Sequence, residues 1–170
     1  VSLETALKAK QPKTKISSGL ESRTTEDFCK VIQDLLSTWK YPDLDRVVFD
    51  NRKLDLVIGG HDRGSQGKGF RAIAHAAFSI GLMRYCRKFG LPHSGVVMLD
   101  SPLVTLQEPD VPPEEIIPQS MKDAFYESLV DNPYGDQIII LENDEPPESV
   151  KGKINYIHFS KSRSIGRYGF

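Results

Sequence analysis

The stretch GGHDRGSQGKGFRAIAHAAF, residues 59–78, decides how the rest of the chain is read. Glycines at 59, 60, 64, 67 and 69 surround Ser65 and Lys68, then give way to an Ala-rich run of helical composition. Glycine lets a backbone approach a ligand closely, and the amides and positive dipole end of a helix N-terminus attract anions. The loop therefore suits a phosphate site, a nucleophile loop or a ligand-free turn between a strand and a helix.

The flanking segments place it. Upstream, DRVVFD (45–50) and KLDLVIGG (53–60) are short β-type runs separated by Asn51 and Arg52, which predicts a hairpin. Before them, Phe28, Val31, Ile32, Leu35, Leu36 and Trp39 recur at helical spacing, with Thr24 or Thr25 as the expected N-cap and Pro42 as the stop. Downstream, a long helix is expected from Phe70 to Phe89, broken by LPHSG (91–95). GVVMLD (95–100) is a continuous apolar run ending in Asp100, the pattern of a buried parallel strand. A proline-rich loop, a helix over 113–130, a second buried strand in DQIIILEN (136–143) and a third in INYIHFS (154–160) complete the order. Alternating helices and strands of this kind predict an α/β layered lobe with a mostly parallel sheet. Residues 1–23 show no capped start and no strong period; they read as a lead-in from an upstream segment, with the lobe itself over 24–170.

Composition narrows the class. With 170 residues, 39% hydrophobic and 26% charged, the chain suits one domain or one lobe of a larger one. A formal net charge of −1 excludes a domain-wide basic footprint but leaves room for a local patch. No apolar run reaches membrane-spanning length, and the two cysteines, Cys29 and Cys86, form neither a disulfide framework nor a CxxC site. These features point to a cytoplasmic setting with reduced core thiols and no membrane partner.

Three chemistries compete for the glycine loop. A P-loop needs glycine five places before Gly67 and Ser or Thr after Lys68; Asp62 and Gly69 stand there. A hydrolase nucleophile elbow would use Ser65 with Asp100 and His158 in the right chain order, yet Arg63 replaces the glycine such a turn requires. The third is the signature loop of an ABC-type ATPase. There, Gly64, Ser65, Gln66, Gly67, Lys68 and Gly69 would present a hydroxyl, backbone amides and positive charge to the γ-phosphate of an ATP held by a partner. The segments after the loop favour this reading. GVVMLDSP delivers Asp100 to a strand end, where one carboxylate can serve a phosphate-bound Mg²⁺. The next strand ends in Asn143, a polar residue placed to meet a γ-phosphate.

Over residues 46–160 this order resembles the C-terminal lobe of an SMC-like ABC ATPase head, the superfamily of SMC, RecN and RecF proteins. GKGFRAIAHAAF, LPHSGVVMLDSPL and IILENDEPP look more narrowly like bacterial SMC-like ATPases of mobile or defence loci, including Lamassu-type anti-phage systems. The resemblance implies ATP and Mg²⁺ as cofactors, with Asp100 as the metal residue, and Asp100, Ser101 and Asn143 at catalytic positions. It implies an N-terminal lobe carrying the Walker A loop, joined through a coiled coil, and a second head that dimerises on ATP. DNA and accessory or effector subunits are the further partners it implies. Two departures stand out. Gln66 replaces a signature glycine, and Ser101 stands where the family carries a catalytic glutamate. Serine is a poor general base at neutral pH, so Glu108 and Glu142 become candidates and weak hydrolysis is expected. Asn143 replaces the usual histidine but can still donate to phosphate. The alternatives are a catalytically inert ABC-like scaffold and a serine hydrolase using Ser65.

The remaining features read more plainly. His61, His75, His93 and His158 lack paired-ligand spacing, which argues against zinc. Tyr156 and Phe159 are expected to pack in the sheet. KSRSIGR (161–167) is basic enough to touch phosphates, or to be a solvated tail.

Overall fold

A computed structural model describes residues 22–103, 116–131, 135–160, 162–164 and 167–169. It is a mixed α/β arrangement in which helices pack against two small sheets. The elements are α1 (Ser22–Thr38), β1 (Val47–Asp50), β2 (Asp55–Ile58), β3 (His61–Asp62), a 3-10 turn (Arg63–Ser65), α2 (Lys68–Lys88), β4 (Val96–Asp100), α3 (Gln119–Val130), β5 (Gln137–Leu141) and α4 (Glu148–Lys151). Most of the proposed lead-in, residues 1–21, lies outside the described residues, as do 113–115 of the helix expected over 113–130 and Glu108.

The described part of α1 starts ahead of both threonines. Thr25 sits inside the helix and its hydroxyl donates to Ser22 O at 2.9 Å, so neither threonine is the N-cap. At the other end the helix closes before Pro42. Lys40 takes a left-handed φ of 59°, while Lys40 N donates to Ser37 O and Tyr41 N to Leu36 O. That bond pair is a Schellman stop, and α2 ends the same way through Gly90. The apolar stripe of α1 enters the core as its spacing predicts, with Ile32 and Leu36 fully buried. Trp39, just past the helix, stacks edge-on against Phe125 at 4.8 Å and donates its indole N–H to Ser128 Oγ, which ties α1 to α3.

β1 and β2 pair antiparallel with Val47 opposite Ile58 and Asp50 opposite Asp55. The connection is longer than the two residues expected: residues 51–54 form it, and Asp50 Oδ1 accepts the amides of Arg52 and Lys53. β3, which the sequence pattern did not indicate, adds a short third strand to β2. Gly59 is required where it stands: its φ is +57° and a Cβ there would lie 2.3 Å from Asp43 O. The first glycine of the opening stretch thus serves the turn and not a ligand.

α2 begins at Lys68, two residues before the expected start, and is buried on more than one side. Ile73, Ala74, Ala77 and Ile80 are fully buried, and Gly81 lies where a Cβ would come within 2.9 Å of Ile32 Cγ1 on α1. β4 and β5 pair in parallel with Val96 beside Gln137 and Asp100 beside Leu141. The parallel pairing matches expectation; the two-sided burial does not. Val97 and Leu99 face the core, but Val96 and Met98 are 43% and 64% exposed, and Leu141 is 47% exposed. Parallel strands normally carry a layer on each face. Among the described residues this sheet carries one.

INYIHFS is not a third strand of that sheet. It holds a single bridge, Phe159 to Arg167, and Tyr156 and Phe159 are exposed, not packed in a sheet. Alternating polarity gives a segment the capacity to pair, but pairing needs an edge within reach. Cys29 and Cys86 are free and buried, as expected, and burial pushes the Cys29 thiol up to about 11.

Candidate functional site

The glycine loop is an arch pinned at two feet. At the first, Arg63 grips Asp55 with two bonds, Nε to Oδ1 at 2.7 Å and Nη2 to Oδ2 at 2.9 Å. This guanidinium holds the Asp55 carboxyl below its usual range. At the second foot, the Tyr41 hydroxyl bonds Gln66 Oε1. Burial raises the Tyr41 hydroxyl to about 12, against a smaller downward pull from Gln66, so it stays protonated. Gln66, which replaces a signature glycine, is therefore an anchor with its side chain turned to the protein.

Between the feet, Gly64 and Ser65 are exposed. Ser65 Oγ donates to Asp62 O at 2.8 Å and closes the 3-10 turn. Gly67 is the N-cap of α2 and brings no side-chain cap, while Arg71 N donates to Gly67 O. Gly67 thus supplies no side chain to cap the first turn of α2, and the amides of a helix N-terminus are donors an anion can use. Gly69 is buried against the body of the protein and Lys68 is exposed. A cleft of about 430 Å³ opens beside Ser65, bordered by Asp50, Lys53, Asp55, Asp62 and Arg63. Its charges are largely paired internally, with Lys53 bonded to Asp62 at 2.5 Å.

The second group gathers at the carboxyl ends of β4 and β5. In an open parallel sheet, that end is where ligands meet strand-end residues. Asp100 is exposed there, and Ser101 Oγ donates to its Oδ1 at 3.0 Å. Ser101 itself has φ 49°, an uncommon conformation for a residue with a Cβ, and its amide donates to Leu141 O at 2.7 Å. Glu142 follows Leu141 and spends both oxygens on the backbone: Oε2 accepts Leu103 N at 3.0 Å and Oε1 accepts Asn143 N at 2.9 Å. It braces the loop leaving β4. Asn143 is exposed. Asp100, Ser101, Glu142 and Asn143 are thus brought together by the register of one strand pair.

Next to them, Lys122 bonds Asp144 at 3.2 Å over a cavity of about 240 Å³ lined by Leu103, Gln119, Tyr126 and Pro147. Tyr41, Asp55 and Lys122 escaped the sequence reading, and Glu142, a candidate general base there, braces the backbone instead. Their roles rest on long-range pairings that no local pattern announces.

Among the described residues, no group of three or more His, Cys, Asp or Glu stands close enough to hold a metal ion. Asp100 can still give one hard oxygen to Mg²⁺, which takes few protein carboxylates and completes its shell with phosphate oxygens and water. The four histidines are scattered: His61 and His75 are exposed, His93 accepts Gly95 N, and His158 lies near Tyr156 and Glu145. Ser65, Asp100 and His158 share no hydrogen bond, so the hydrolase constellation is not assembled. No helix of the described residues is long and apolar enough to cross a membrane. No family model matches the chain, and no curated protein matches it.

Proposed function

We propose that the chain is the C-terminal lobe of an SMC-like ABC ATPase head, which engages a second head on ATP and uses hydrolysis to drive changes on DNA. One observation carries the reading: the parallel register of β4 and β5 sets Asp100 beside the Leu141–Asn143 strand end, following α2 and its uncapped, serine-bearing loop. The apolar face left by Val96, Met98 and Leu141 supports it as well, since a lobe carrying the Walker A loop would complete such a sheet. In this account Ser65 and the α2 amides close on the γ-phosphate of the opposite head. Ser65 releases Asp62 O to do so, an exposed bond of modest cost. Asp100 would hold Mg²⁺ in its own subunit, and the ion, when bound, would supply charge neutralisation at the phosphoryl oxygens. Asn143 would orient the γ-phosphate or the attacking water. DNA grip, accessory subunits and a role in DNA maintenance or anti-phage defence come from the resemblance.

A second reading, an inert ABC-like scaffold, has its own support. Ser101 occupies the base position, and Glu142 is committed to two backbone amides. The two separate in an ATPase assay on the complete head, this lobe together with its Walker A lobe. The enzyme reading predicts Mg²⁺-dependent turnover that falls at least about a hundredfold in Asp100→Asn, the scale on which a transition-state charge contact acts. Absence of turnover with intact ATP-dependent dimerisation supports the scaffold, and unchanged turnover in Asp100→Asn removes Asp100 from the site.

A further inference from the structure

Alternation along a β-strand sends neighbouring side chains to opposite faces, so an extended chain would point residues 100 and 101 apart. Ser101 breaks that alternation. It leaves the extended region for a left-handed φ of 49°, and its Oγ turns back to donate to Asp100 Oδ1 at 3.0 Å. Such a backbone is costly for a residue with a Cβ and persists only where the surroundings hold it. Here both flanks are tied. Ser101 N donates to Leu141 O at 2.7 Å, and Leu103 N donates to Glu142 Oε2 at 3.0 Å. Glu142 is itself fixed, because its Oε1 accepts Asn143 N at 2.9 Å. The end of β5 thus clamps the turn that leaves β4, with Ser101 inside the clamp.

The consequence falls on Asp100. Its carboxylate is exposed, and the Ser101 hydroxyl is its one side-chain hydrogen-bond partner among the described residues. An unrestrained aspartate carboxyl turns broadly about its terminal torsion. A donor on Oδ1 fixes the plane of the group and leaves Oδ2 as a hard oxygen for a cation. The same bond separates Ser101 from the glutamate whose position it takes. Its proton goes to the neighbouring carboxylate, and a serine hydroxyl is a poor base at neutral pH.

We propose that Ser101 is a positioning residue for the cation: it orients Asp100 toward Mg²⁺ and takes no proton from water. The proposal rests on the ATPase reading of this site and gives a use to the residue that departs from the family pattern there. It holds for an active enzyme and for an inert scaffold alike, since either would bind ATP with Mg²⁺.

The test is the gain in affinity for a non-hydrolysable ATP analogue that Mg²⁺ confers on the complete head, measured by calorimetry in Mg²⁺ and in EDTA. Ser101→Gly should cut that gain about threefold to tenfold, the span of one exposed hydrogen bond. It should leave urea unfolding of the full chain nearly unchanged, because glycine adopts a left-handed φ without strain and this offsets its greater freedom when unfolded. Ser101→Thr should do the reverse. A β-branched residue is poorly tolerated at positive φ, so stability falls while the hydroxyl preserves the gain. A serine of purely structural use predicts instead that the gain follows stability, with Thr the weaker binder. If Ser101→Thr does not fold, Ser101→Gly decides alone. Asp100→Asn separates the two levels of the argument. If it abolishes the gain while Ser101→Gly keeps the parent's, the ATPase reading stands and the positioning role is overturned. If Asp100→Asn keeps the gain, Asp100 holds no cation, and the reading of that residue falls together with the role of Ser101.

Discussion

Ser65 owes its position to side chains outside the glycine loop, Asp55 and Tyr41. Asp55 fixes one foot of the loop through Arg63, and its folded-state pKa is depressed. A depressed carboxylate contributes stability that is present above its unfolded pKa and is lost as pH falls through the folded value. The pair is about one-third exposed, so its worth is that of a surface pair, about 0.2–1 kcal/mol. Asp55→Asn should cost that amount at neutral pH, and the urea-unfolding free energies of variant and parent should converge as pH falls below about 4. A gap that stays constant down to acid pH would mean the carboxylate acts by shape and not by charge.

At the scale of elements, the α1–α2 crossing sets where α2 presents its N-terminus. Gly81 lies in that crossing against Ile32, which is fully buried. Gly81→Ala gains helix propensity of about 1 kcal/mol but overpacks a filled contact, at about 1–3 kcal/mol. A net loss of about 1 kcal/mol is expected in chemical denaturation, and the Gly81→Ala penalty should vanish on an Ile32→Ala background. Stabilisation by Gly81→Ala in the parent would show that the two helices part readily. The main elements were legible because α1, α2, β4 and β5 each carry a periodic or continuous apolar pattern of adequate length. Asp100 at the end of β4 was legible for the same reason. The Tyr41–Gln66 anchor was not, since those residues are 25 apart in sequence and meet only in the fold. INYIHFS misled because its alternation promised a strand that finds no ladder. The exposed face of β4 was equally hidden: an apolar run states what a strand tolerates, while the number of covering layers depends on the rest of the assembly.

For the whole molecule, the account divides one nucleotide site between lobes and between heads. Neither the glycine loop nor the β4–β5 strand ends form a β-phosphate cradle, so the 170 residues alone should bind ATP weakly or not at all. Micromolar affinity by calorimetry on this chain would contradict the division. Head engagement is the sharper consequence, because in the proposed head Ser65 would serve the nucleotide of the opposite head. Ser65→Arg in the complete head should leave ATP binding to a single head nearly intact and block closure by bulk. The decisive measurement is light scattering of that head, in a hydrolysis-slowed background, with and without ATP. The account predicts an ATP-induced dimer for the parent and a monomer for Ser65→Arg; a Ser65→Arg head that dimerises on ATP as the parent does would contradict it.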